Sequence, residues 1–194
     1  MATDQQYQDF VEDLDKSALV RLWEDVEAGR RPSGWRHADW CQGRALEYVV
    51  LQGFRLDGAD VAWPYRTEEG DFVPGGSDRT VEQTDGVVYV DGLACVIECR
   101  AQQNRLGVEP LAYLRNKLLR RPAAAIGSFF SLSGFTDPAL LLAGYMFPQT
   151  ILLWEGDEVE AALVHGWFAE GLRVKYRAAV ETGATDRKLS VYLP

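Results

Sequence analysis

The apolar and polar positions of the chain fall into two periods. From Gln5 to Ala28, Tyr7, Phe10, Val11, Leu14, Ala18, Leu22 and Val26 recur near helical spacing and Gly29 supplies a stop, which predicts one amphipathic helix. Arg30 to Gly34, with Pro32, reads as a turn. Asp39 can cap a second helix running to about Gln52 and ended by Gly53. Val61 to Tyr65 reads as a strand, followed by a polar, glycine-rich loop from Thr67 to Arg79. Leu106 to Leu119 reads as a helix, Ala123 to Leu132 as a buried strand, and Asp137-Pro138 as a helix start. Thr150 to Trp154 is strand-like, and Val159–Phe168 and Leu172–Val180 are helical. A hairpin followed by alternating helices and strands implies an α/β fold, a mixed central sheet flanked by helices on both faces.

The most informative stretch is that hairpin, Val81 to Arg100. Asp91-Gly92 between two apolar runs is a strong two-residue turn signal. With those residues as the loop, facing positions sum to 183, so Asp85 lies opposite Glu98 and Gln83 opposite Arg100. Directly opposed side chains share one face of the sheet. Two carboxylates so placed repel each other, and a hard divalent cation removes the conflict, since Mg²⁺ is commonly held by one or two carboxylates with water and phosphate oxygens. Ala94 to Ile97 is apolar on both faces, as in a buried central strand. The competing reading is a polar strand end that reaches solvent.

Several pieces in order resemble the PD-(D/E)xK nuclease superfamily, and within it the restriction-endonuclease-like, Mrr-type group. They are Arg44-Ala45-Leu46-Glu47 as a first helix with its acidic residue, Glu82-Gln83-Thr84-Asp85-Gly86, Ile97-Glu98-Cys99-Arg100, and Phe129-Phe130-Ser131-Leu132-Ser133-Gly134-Phe135-Thr136. The resemblance covers most of residues 38–168. It implies a restriction-endonuclease-like core over 38–170, an N-terminal helical extension over 1–37, and a C-terminal helix and tail over 171–194. It implies a metal-dependent DNA endonuclease of restriction or anti-phage defence type. Asp85 and Glu98 would bind Mg²⁺ or Mn²⁺, the Ile97 or Cys99 carbonyl being a further candidate ligand. Glu47 would hold a second ion or orient water, and Gln102 or Gln83 would position that water. The family lysine is replaced by Arg100, which can bind phosphate but stays protonated. The alternative is therefore a catalytically weakened module that binds nucleic acid or a partner protein in a defence complex. Lys117 is either a surface lysine or a substitute reaching back into the site.

Composition narrows the remaining options. With 47% apolar and 25% charged residues over 194 positions, the chain is globular and large enough for a real core. No apolar run approaches the length of a membrane span, and the first residues lack a signal-peptide layout, so the expectation is a cytoplasmic protein without membrane contact. Cys41, Cys95 and Cys99 form no C-x-x-C pair; Cys95 and Cys99 fall about 13 Å apart by strand rise, as buried small hydrophobes. Net charge is −9, which argues against a non-specific nucleic-acid coat protein. Yet between residues 100 and 121 six basic residues face one acidic one. Arg105, Arg115, Lys117, Arg120 and Arg121 are accordingly candidates for phosphate contact, with a solvated helix face as the competing reading. DNA is the expected partner, and a second protein that supplies targeting is an open option. The apolar stripe of the N-terminal helix either packs on its own core or forms a homodimer or partner interface.

Overall fold

The computed structural model describes residues 2–37, 39–71 and 73–189; residues 190–194 of the expected C-terminal tail lie outside them, as do positions 38 and 72. The N-terminal stripe forms two helices, α1 (Asp4–Val11) and α2 (Lys16–Glu27). The break follows from Asp15, whose carboxylate accepts the Ala18 N–H at 2.8 Å and caps α2. Tyr7, Val11, Leu19, Leu22, Trp23 and Val26 are buried within the chain itself. They pack against α3 (Gln42–Leu56), which begins after Cys41 rather than at Asp39 and continues past Gly53.

The strands are β1 (Asp60–Ala62), β2 (Tyr65–Glu68), β3 (Thr80–Thr84), β4 (Gly86–Val90), β5 (Leu93–Arg100), β6 (Ile126–Ser131) and β7 (Ile151–Glu155). Five of them form a sheet in the order β1-β4-β5-β6-β7, antiparallel as far as β5 and parallel from β5 to β7. The expected hairpin register is present, with Val90 facing Leu93 and Gly86 facing Ile97. Asp91 and Gly92 both take positive φ, 51° and 81°, as a type I′ turn requires. Part of the expected polar loop is structured: β2 and β3 form a separate two-stranded antiparallel ribbon.

Helices cover both faces. α4 (Val108–Leu118) and α5 (Asp137–Gly144) lie over the face that buries Val87, Val96, Phe129 and Leu153. On the other face Val88, Cys95, Ile97, Phe130 and Trp154 pack with α1, α2, α3, α6 (Gly156–His165) and α7 (Phe168–Thr182), the last starting at Phe168 rather than Leu172. Among the described residues no helix is long and apolar enough to cross a membrane.

Gly53 does not end α3 because it makes a packing contact. A Cβ there would lie 2.3 Å from the Phe168 ring. Gly53→Ala is therefore expected to destabilise the protein by about 1–3 kcal/mol, the usual cost of overpacking, despite the better helix propensity of alanine. Thermal denaturation checks this, and an unchanged melting temperature would show that Phe168 can move aside.

Candidate active site

Period-two alternation along β5 sends Cys95, Ile97 and Cys99 to the α3 side of the sheet, and Val96 to the α4 side. Glu98 continues the second set and is 1% exposed. This excludes a strand end that simply reaches solvent. Asp85, 5% exposed, sits where the chain passes from β3 to β4, one residue beyond the last paired position. Its Oδ2 accepts the Cys99 N–H at 2.9 Å, which fixes it against the end of β5.

Arg100 joins the two carboxylates. Its Nη2 lies 2.7 Å from Glu98 Oε1 and its Nη1 3.5 Å from Asp85 Oδ2, while Nη1 also donates to the Cys99 carbonyl at 2.7 Å. A positive charge thus lies between Asp85 and Glu98, where the register predicts a cation. Burial works against the guanidinium charge, but Glu98 and Asp85 outweigh it and raise the Arg100 pKa.

Lys117 is corrected most by the structure. It is not a surface lysine; α4 turns it back onto Glu98. It is 2% exposed, and its Nζ donates to Glu98 Oε2 at 2.6 Å and to the Gln83 carbonyl at 2.7 Å. The Tyr113 ring centroid lies 5.1 Å away. An ammonium carries three donors, so one N–H is left for a ligand. Leu111, Leu114 and Leu118 form the buried stripe of α4, and Lys117 stands three residues after Leu114 at the edge of that stripe. That spacing was the available signal.

Glu47 comes from the middle of α3 and completes the group. It is 7% exposed and its Oε2 is buried without a hydrogen-bond partner. Burial first, then the Asp85 charge, pushes its pKa up to about 9, against weaker opposition from Arg44 and Arg100. Burial and Glu98 raise Asp85 to about 6, opposed by the Cys99 N–H and Arg100. At neutral pH Glu47 therefore holds a proton and Asp85 is mostly ionised.

The two glutamines are not brought into this group. Gln83 is not opposite Arg100, because β3 leaves the main sheet and pairs with β2; it offers its backbone carbonyl to Lys117 instead. Gln102 lies past the strand end, exposed, donating to the Asn104 carbonyl at 2.8 Å. Among the described residues no three carboxylate, thiol or imidazole groups converge as a ready-made ion cage. Both Glu98 oxygens are turned to Arg100 and Lys117. The donors nonetheless suit a hard divalent ion: two ionisable carboxylates, with an orphaned carboxyl oxygen on Glu47 beside them.

A family model described as restriction endonuclease, of the Mrr catalytic type, matches residues 38–163, from just before α3 to the end of α6. The chain belongs to the Mrr-type restriction endonuclease family. Three solved structures share a weaker likeness. A protein of unknown function, AF1548, is 16% identical over 72% of this chain and 77% of its own, with a TM-score of 0.45. The DNA modification-dependent restriction endonuclease AspBHI is 15% identical over 84% of this chain and 40% of its own, with a TM-score of 0.43. The MspJI restriction endonuclease in complex with a 27-mer oligonucleotide is 15% identical over 98% and 42%, with a TM-score of 0.42. The chain spans about two fifths of the length of these two nucleases. No curated protein sequence matches it significantly.

The basic residues of this Mrr-type family member divide into two sets. Arg105 and Arg115 are exposed. Arg120 and Arg121 are instead turned onto Glu82, a carboxylate of β3 buried to 4% exposure, and Arg120 also donates to the Asn116 carbonyl at 2.8 Å. Both side chains are thus ion-paired rather than free. A buried carboxylate needs charged partners, and these two fasten the ribbon to the end of α4.

Proposed function

We propose that this chain is a divalent-metal-dependent DNA endonuclease of restriction or anti-phage type, working in the cytoplasm. The observation that carries the reading is the buried Lys117 ammonium on Glu98. The strand position where the family motif has lysine holds Arg100, yet a lysine from α4 reaches the same carboxylate. Asp85 and Glu98 would hold Mg²⁺ or Mn²⁺, with Glu47 as the third carboxyl group. When bound, such an ion supplies Lewis-acid polarisation of the phosphate and lowers the pKa of attacking water. Lys117, held by two acceptors, aims its remaining N–H at the phosphate oxygens or that water. Arg100, its side chain 42% exposed, can turn from Asp85 toward solvent and bind phosphate through its planar fork. Glu47, whose pKa burial and Asp85 raise to about 9, would have to release its proton to solvent to serve as a ligand.

Incubation with plasmid DNA and Mg²⁺ or Mn²⁺ is expected to give nicked and linear products, and Asp85→Ala to lose them. The cations are also expected to raise the melting temperature of the parent protein but not of Asp85→Ala, since an ion that binds only the folded state stabilises it. Equal cleavage by the variant would remove Asp85 from the chemistry.

A further inference from the structure

A cleft of about 340 Å³ opens at the carboxyl ends of β5 and β6, where the chain continues from Arg100 to Gln102 and Gln103. This is the end of a parallel sheet where open α/β folds receive ligands, and the volume lies in the range of small-molecule sites, about 300–1,000 Å³. Gln102, Gln103, Leu132, Ser133 and Gln42 line it together with the end of α2 at Glu27 and Ala28. The cleft connects to the site through one backbone hydrogen bond and through α3. The Leu132 N–H donates to the Arg100 carbonyl at 3.1 Å, and Gln42 opens the helix that carries Glu47 about 7.5 Å further along its axis.

Its chemistry differs from that of the site. Among the described residues the lining holds no lysine or arginine, and Glu27 is its one charged side chain. The last turn of α2 also contains no basic residue and turns its negative end here. A phosphate would be repelled. A neutral ligand rich in donors and acceptors is favoured, matching three amides and a hydroxyl. Two amides are already held in place: Gln42 Nε2 donates to the Val26 carbonyl at 2.7 Å and Gln102 Nε2 to the Asn104 carbonyl at 2.8 Å, while Ser133 Oγ donates to the same Asn104 carbonyl at 2.6 Å. Anchored amides present a fixed pattern, as a reading surface requires.

We infer that this cleft seats a nucleobase of the substrate strand next to the scissile phosphate, one bearing an exocyclic amino group. Adenine fits best, since an amide donor and acceptor match its N7 and amino group and Glu27 accepts a further N–H. This rests on the nuclease reading above and reassigns Gln102 from water to base. Arg100 holds the phosphate while the amides select what lies beside it.

The test is cleavage of duplex DNA randomised around the cut, with the ends sequenced. The parent protein is expected to favour adenine over thymine beside the scissile bond by about tenfold or more, the discrimination typical of one good bidentate amide contact. Gln102→Ala/Gln103→Ala, on exposed positions, is expected to slow cutting and bring that ratio to about twofold or less. Ala28→Trp, which adds bulk to the cleft lining and replaces none of the amides, should flatten it likewise. A parent without base preference beside the cut, or variants that keep it, overturns the cleft assignment while the nuclease reading stands. A parent that cuts nothing with either metal overturns the nuclease reading, and the cleft assignment falls with it.

Discussion

Replacing Lys117 by methionine is expected to lower DNA cleavage by about 10²–10³-fold, the usual cost of removing one preorganised donor to a developing oxyanion. Methionine keeps the length of the side chain and removes the charge. Glu98 then retains only Arg100, and the Gln83 carbonyl loses the partner it has in the buried ammonium. Some stability is lost as well, so the melting temperature is followed and rates are compared below the transition. A second substitution separates chemistry from packing. Arg100→Lys puts a lysine back at the strand position and is expected to preserve or raise activity in the parent, whereas Arg100→Ala reduces it strongly. On the Lys117→Met background, Arg100→Lys is expected to recover much of the lost rate. A Lys117→Met protein that cuts as fast as the parent would show that Lys117 only neutralises Glu98.

Glu47→Gln is expected to abolish or cripple cleavage while making the metal-free protein more stable. A carboxyl whose folded pKa is about 9 binds its proton more tightly in the native state than in the unfolded chain. Such a group lowers stability as pH rises, from the ordinary glutamate value of about 4 up to about 9. Asp85, raised to about 6, adds a smaller loss over roughly pH 4–6. An amide at position 47 removes the larger contribution. The gain should be small near pH 5 and reach about 1–3 kcal/mol near pH 8, or about 3–8 °C for a chain of this size. Melting curves in chelator across that range decide the matter. A difference between the two proteins that does not change with pH would mean that Glu47 is ionised in the native state.

The hairpin was legible because its information is local. Asp91-Gly92 sets the turn, the turn sets the register, and the register brings Glu98 to the end of β4 beside Asp85. The alternation of β5 likewise announced which residues go inward. Lys117 was not legible in the same way. Whether a lysine beside a leucine stripe is solvated or buried depends on what faces it, and its acceptors are 19 and 34 positions away in sequence. The same holds for Arg120 and Arg121, whose charge suggested phosphate but whose partner is Glu82 on a ribbon that local pattern read as loop. The single long N-terminal helix failed for a different reason. An Asp in an amphipathic run can sit on the polar face or cap a new helix, and Asp15 caps.

The ribbon has a consequence for engineering. It leaves the main sheet at Thr84, and its far end, between Glu68 and Thr80, carries no strand of the five-stranded sheet. Lengthening a surface connection costs little free energy, because closure entropy grows only slowly with loop length. Residues 73–78 are therefore a graft point, where a foreign DNA- or protein-binding peptide could be displayed at the far end of the ribbon. Glu82, Arg120 and Arg121 would serve as the fixed base of that cassette, and the same fold could be given a different address.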